Sequence, residues 1–296
     1  MSFYEGAVEF RRFRTWYRRI GNTKGGAPLL VLHGGPGFPH DYLTTLDQLA
    51  DQREVIFYDQ LGCGRSATQH PPDEWSIALF VEELANLRVQ LGLELVHLFG
   101  HSWGGWLAME YALRGPGELM SLVLASAPAS VPEFIIGIDD LVAGLSRRSR
   151  RVLNRHRAGE AIGEKKFHMA YNEFLHKHWC RVDPLPAQLT RSWMASASVV
   201  YEALWGPSEM VADGPLAAWD VSAELGRLDL PVLMTCGAHD EVRPQLLKRM
   251  LQSLPRADLK VYPNSAHMAH LEETELYLSD LSRFLQRAEE QSGVRT

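Results

Sequence analysis

The chain has 296 residues, 46% hydrophobic and 22% charged, enough for one large α/β domain with an insertion or for two domains. A formal net charge of −6 argues against nucleic acid as a partner, and no apolar run approaches the ~20 residues of a membrane span. Cys63, Cys180 and Cys236 are odd in number and scattered, so neither a disulfide framework nor a metal knuckle is indicated.

The first residues, MSFYEGAVEFRRFR, lack the apolar core of a signal peptide, and a reducing cytoplasm is the expected compartment. The run RRFRTWYRR (11–19) interleaves arginine with aromatics, the pattern of an exposed edge hairpin whose charge discourages further pairing. Six short apolar runs follow: PLLVLH (28–33), EVIFYD (54–59), LVHLFG (95–100), SLVLAS (121–126), PVLMTCG (231–237) and LKVYP (259–263). Each reads as apolar on both faces, as parallel strands covered by helices are. Helical patterns at roughly 41–51, 76–91 and 103–114 separate the first four, a βαβ rhythm that predicts a mostly parallel, doubly wound sheet with helices on both faces. From about Val131 to Glu224 the rhythm breaks into helical patterns with Trp179, Trp193, Trp205 and Trp219 and no clear strand. RRSRR (147–151) reads as a solvated helix face. The predicted organisation is a catalytic core of 1–130 and 225–296 with a helical cap, 131–224, over the strand C-terminal ends, where sites in such sheets lie.

The chemistry is concentrated at three places. Gly100-His101-Ser102-Trp103-Gly104 fits G-x-S-x-G between a strand-like and a helix-like run, the context of a nucleophile elbow. A serine that merely caps the next helix would not need glycines two positions away on both sides. HGGPG (His33 to Gly37) follows the first apolar run, and its three glycines suggest backbone shaped to present N–H groups. The oxyanion donors expected from these two motifs are Gly35 and Trp103. A nucleophilic serine needs a base, and the base needs a carboxylate, in the chain order Ser, acid, His. Asp240 lies just beyond a late strand, and His267 lies in the loop after the last one, ahead of His270, where a helix starts. Ser102, Asp240 and His267 are therefore the expected triad, with His33 left to structural hydrogen bonding. The histidines of the insertion, His156, His168, His176 and His178, show no metal-ligand spacing. No metal or organic cofactor is expected, because serine, imidazole and backbone N–H groups suffice for acyl transfer.

Taken together, HGGPG, FYDQLGCGRS (57–66), GHSWGG, GPSEM (206–210), WDVSAEL (219–225) and GAHDEV (237–242) resemble the prolyl iminopeptidase branch of the α/β-hydrolases, including the tricorn-interacting aminopeptidase type. The likeness spans residue 33 to the last loop; 131–200 lies outside the matching stretches. It implies an α/β-hydrolase fold with Ser102 as nucleophile, Asp240 as acid, His267 as base and Gly35 with Trp103 as oxyanion donors. It also implies that Glu209 of GPSEM and Glu241 beside the acid bind the substrate's free amino group. Two carboxylates in a cleft between cap and core would suit an ammonium or a prolyl iminium. The implied activity is release of N-terminal residues, proline favoured, from short peptides through an acyl-enzyme. An amino-acid amide or ester hydrolase with the same amine pocket is the alternative, followed by a small-molecule esterase or lactonase. Neither nucleic acid nor membrane is an expected partner.

Overall fold

The computed structural model describes residues 3–115 and 119–293. Eight strands form one sheet: β1 (Phe3–Phe10), β2 (Phe13–Gly21), β3 (Gly26–Leu32), β4 (Arg53–Tyr58), β5 (Val96–His101), β6 (Leu119–Ala125), β7 (Val232–Gly237) and β8 (Ala257–Tyr262). Their spatial order is β1-β2-β4-β3-β5-β6-β7-β8. The N-terminal hairpin joins β4 antiparallel, and all pairings from β4 to β8 are parallel. In β4, β5 and β7 every residue is buried, as the uninterrupted apolar runs require when helices cover both faces.

Two strands depart from the sequence expectation. β8 closes the sheet at one edge, and Asp258, Lys260 and Val261 are exposed, so LKVYP is not covered on both faces. At the other end only β1 is an edge; β2, which carries most of the basic-aromatic run, lies between β1 and β4. Its Phe13, Trp16 and Tyr17 are buried, while Arg18 and Arg19 meet Asp47 and Glu54 at 2.7 Å each. The arginines thus pair with acids of this chain rather than guard an open edge.

Helices α1 (Ile77–Gln90) and α2 (Trp103–Leu113) follow β4 and precede β6, with the Ser76 hydroxyl capping α1 by accepting from the Leu79 N–H. Residues His40–Leu49 form a 3-10 segment rather than an α-helix. The Thr44 hydroxyl donates back to the Asp41 carbonyl at 2.7 Å, a local bond that competes with the α-ladder. Between β6 and β7 run α3 (Val131–Ala143), α4 (Arg147–Arg157), α5 (Glu164–His178), α6 (Ala187–Met194) and α7 (Ser198–Leu204). The ends of this excursion pair with each other: Val131 N–H donates to Trp219 O and Val221 N–H to Ala129 O, both at 2.9 Å. Trp205 and Trp219 pack their rings on Trp106 of α2, with centroids 5.8 and 5.5 Å away, so the tryptophans join the excursion to the layer beside the sheet. α8 (Pro244–Leu251), α9 (Ala269–Glu272) and α10 (Thr274–Ser292) complete the chain. Among the described residues no helix is long and apolar enough to cross a membrane.

Candidate active site

Ser102 sits at the C-terminal end of β5 with φ 55° and ψ −124°, a left-handed backbone that costs a non-glycine residue on the order of 1–3 kcal/mol. The flanking glycines explain how the turn holds. A Cβ on Gly100 would lie 2.2 Å from the Gly104 carbonyl oxygen, and one on Gly104 would lie 2.3 Å from that of Leu32. Nothing larger fits.

Trp103, next in the chain, is fully buried and does not line the cavity. Its indole donates to Gln60 Oε1 at 2.7 Å, and Gln60 Nε2 donates to the His33 carbonyl at 2.8 Å. His33 Nε2 in turn accepts from the Gln60 N–H at 2.9 Å. Burial pulls the His33 imidazole down to about 4, so it is a neutral strut, far from the base it superficially resembles. Gly34 N–H donates to the Tyr42 hydroxyl at 2.8 Å, which fixes the HGGPG loop just before Gly35. Among the described residues the N–H groups of Gly35 and Trp103 have no recorded acceptor, as expected of a loop amide and the first turn of a helix.

Asp240 follows β7. Its Oδ1 accepts from the Val242 N–H at 2.8 Å and lies 2.9 Å from His267 Nδ1; its Oδ2 accepts from the Ser126 hydroxyl at 2.6 Å. His267 therefore donates from Nδ1 and presents Nε2 to the cavity. That nitrogen is 3.5 Å from Glu241 Oε1. Burial opposes the imidazolium, but the carboxylates of Glu241, Asp240 and Glu209 outweigh it and push His267 up to about 9. His270 has a different environment. Its Nε2 donates to the Tyr42 carbonyl at 3.2 Å, and burial drops it to about 3. The structure brings Asp240 to His267 and not to His270.

The two glutamates line the same cavity, Glu209 from the segment after α7 and Glu241 from the loop after β7. Glu209 stands in a turn after α7 that is held by the Trp205 indole donating to Ser208 O at 3.1 Å, and its Oε2 accepts from the Tyr201 hydroxyl at 2.7 Å. Burial raises its carboxyl against that bond. Glu241 is 3% exposed, and its Oε2 is buried with no hydrogen-bond partner. Burial pushes its carboxyl well up, His267 opposes this, and Glu209 and Asp240 add to it. The cavity, about 360 Å³, contains Ser102, His267 and both glutamates. Its apolar wall is Phe38, Trp179 and Trp193, edge-on to one another at 5.2–6.4 Å between centroids. Among the described residues no group of three or more His, Cys, Asp or Glu side chains is placed to hold a metal ion.

Residues 27–274 match the alpha/beta hydrolase fold family. The proline iminopeptidase of Levilactobacillus brevis is 34% identical over 291 residues, covering 96% of this chain and 97% of that protein. A solved proline iminopeptidase from Mycobacterium smegmatis superposes with a TM-score of 0.91 at 34% identity, covering 98% of this chain and all of that one. The crystal structure of VinJ gives the same TM-score at 35% identity, with 96% and 99% covered. The chain belongs to the proline iminopeptidase family of α/β-hydrolases.

Several further residues of this member of the proline iminopeptidase family support the site without a sequence motif to mark them. Ser126, with φ 51°, holds the acid's second oxygen at the end of β6. The Tyr42 hydroxyl donates to His101 Nδ1 at 2.8 Å, and His101 Nε2 donates to the carbonyl of His267 at 3.0 Å. The HGGPG loop, the Ser102 turn and the His267 loop are thereby joined beside the cavity. Gln60 was visible as part of FYDQLGCGRS, but nothing in that string pointed to Trp103. Tyr42 and Ser126 carry no local signal.

Proposed function

We propose that the chain is a serine aminopeptidase that releases N-terminal residues, proline favoured, from short peptides. In this reading Ser102 Oγ attacks the scissile carbonyl, and His267 Nε2 takes its proton and returns it to the leaving amine. Asp240 holds the imidazole with Nδ1–H inward, which keeps Nε2 the accepting atom. The N–H groups of Gly35 and Trp103 meet the negative charge that develops on the carbonyl oxygen. Water then cleaves the acyl-enzyme with His267 again as base. The helical excursion 131–224 acts as a cap on a core of 1–130 and 225–296. The relatives carrying the name proline iminopeptidase support this substrate class.

The observation that carries the reading is the unpartnered Glu241 Oε2, with Glu209 lining the same cavity. A buried carboxylate oxygen without a partner is costly and calls for a charged donor. A substrate's primary ammonium, or the secondary ammonium of an N-terminal proline, supplies one, and the Phe38, Trp179 and Trp193 rings offer an apolar wall to a proline ring. An amino-acid amide or ester with a free amine would satisfy the same groups, and the leaving group is the part that differs. A cytoplasmic site of action fits three free, buried cysteines.

The test is a panel of Pro-, Ala- and Leu-4-nitroanilides with their N-acetyl forms, plus proline amide. A charged amine bonded to a buried carboxylate is worth about 1.5–3 kcal/mol, so acetylation should lower kcat/KM by roughly ten- to 150-fold. Equal turnover of Pro-4-nitroanilide and its N-acetyl form would discard amine recognition and leave a general esterase.

A further inference from the structure

The base and the amine pocket share an atom-to-atom contact. The nitrogen that must accept the Ser102 proton, Nε2 of His267, faces Glu241 Oε1 at 3.5 Å, while the Ser102 hydroxyl has no recorded hydrogen bond among the described residues. Both Glu241 and His267 are buried, at 3% exposure each. The charged groups around the ring are mostly acidic. Asp240 and Glu241 approach from the β7–α8 loop and Glu209 from the turn after α7. The remaining neighbours are His101 from the elbow and His270 from α9, both held neutral by burial. Tyr171 and Tyr201 face the glutamates as phenols. Beyond these, His178 of α5 donates to the His239 carbonyl and sits near Asp240, and burial lowers it.

Resting on the amine-pocket reading above, we infer that Glu241 gates the base: it shares one proton with Nε2 of His267 until a substrate ammonium displaces that proton to solvent. The exchange balances. Before binding, the pair holds one proton, either as imidazolium with carboxylate or as imidazole with carboxylic acid, and the two belong to one coupled titration. The entering ammonium pairs with the Glu241 carboxylate, one proton leaves to water, and His267 is left neutral with Nε2 open to Ser102. Charge is conserved, because one cation has replaced another beside the same anion. A neutral ester or an N-acylated peptide performs no such exchange and meets a base that already holds a proton. The pocket therefore selects for free amines in kcat as well as in KM, and Glu241 is a specificity-determining residue twice over.

The closing experiment has two arms. The first follows kcat/KM for 4-nitrophenyl acetate against pH in the wild type and in Glu241→Gln. In the wild type the ascending limb should lie near the pH where His267 loses its proton, about 9. Without the carboxylate that limb should move towards the ordinary imidazole range, near ~6.5, and ester turnover at pH 7 should rise roughly tenfold for each unit moved, up to about 75-fold for the full shift. The same substitution should lower kcat/KM for Pro-4-nitroanilide. Opposite signs from one isosteric change are not produced by a structural defect. Glu209→Gln, which removes a carboxylate bonded to Tyr201 instead, should weaken amine substrates with a smaller shift of the ester limb. In the second arm the wild type is titrated calorimetrically at pH 7 with L-prolinol, a cyclic amine with no scissile bond, in two buffers of different ionisation heat. About one proton should be released per molecule bound. A fall in ester turnover at pH 7 in Glu241→Gln, or no proton release from the wild type, overturns the gate. The preference of the wild type for free over acetylated amines tests the underlying pocket separately, and it can hold while the gate fails.

Discussion

At the scale of single residues the site is built by removing choices from each group. Ser102 has a backbone that only its two tight glycine neighbours permit. Asp240 has both oxygens engaged, so its carboxylate cannot swing away from His267. If the proposed roles hold, Ser102→Ala and His267→Ala should each lose on the order of 10⁴–10⁶ in kcat, because the three act as a unit. Asp240→Asn keeps the packing but favours the wrong imidazole tautomer, and should lose roughly 10⁴ in kcat with KM little changed. Steady-state kinetics on Pro-4-nitroanilide decides the matter. Full activity in Ser102→Ala ends the mechanism.

Among the elements, α10 shows how a helix far from the chemistry holds the sheet that aims it. Glu289 near its C-terminal end accepts from Arg53 of β4 at 2.6 Å and from the Ala27 N–H of β3 at 2.8 Å. His97 of β5 lies 3.0 Å from the same oxygen and passes the network on to Ser121 of β6 at 2.7 Å. One carboxylate thus ties the helix across three parallel strands. Arg53 is 1% exposed, so removing its partner strands a buried cation. Glu289→Gln should therefore cost about 3–5 kcal/mol of stability, read as a lower urea midpoint with an unchanged m-value. A midpoint shift within experimental error would mean that the network is solvated and contributes little.

For the whole molecule, the buried titratable groups make stability a function of pH in a definite direction. His33 and His270 are held down at about 4 and 3, and His97 and His101 are also lowered, all mainly by burial. The unfolded chain takes up these protons below its own value of about 6.5, and the folded one does not. Stability is thus present above that pH and lost as pH falls, with His33 and His270 each costing about 2 kcal/mol by roughly pH 5. Glu289, held at about 2 by His97 and Arg53 against the effect of burial, extends the loss below the unfolded carboxylate range near ~4.3. The raised groups act oppositely. Burial raises Glu83 to about 7 and lifts Glu209, Glu241 and Glu272 as well, and the carboxylates raise His267 to about 9, so these contributions fade as pH rises through the raised values. Thermal unfolding across pH 4 to 10 should accordingly show a maximum near neutrality, with a fall between roughly pH 6.5 and 5 that the raised glutamates partly offset. A flat Tm across that interval would contradict the neutral, buried histidines.

What the sequence determined by itself is what local pattern encodes. Apolar runs of strand length, helical periodicity between them and glycines around Ser102 are short-range signals, and they yield the parallel α/β sheet and the elbow without knowledge of any distant contact. Chain order alone pointed to Asp240 and to the loop holding His267. The edge character of β8 and the inner position of β2 were not legible, because strand order is a property of pairing and an edge strand of similar composition reads like a central one. Loop position favoured His267 over His270, which lies less than one helical turn away, and the tertiary structure gives Asp240 to His267 and a backbone carbonyl to His270. It alone brought Tyr42, His101 and Ser126 to the site, through hydrogen bonds that cross 59 to 166 residues of chain. The contact between Glu241 and His267 Nε2 belongs to the same class. Twenty-six positions apart, they meet only because the loops after β7 and β8 lie side by side at the same end of the sheet, and burial there turns an ordinary acid–base neighbour into a strong one.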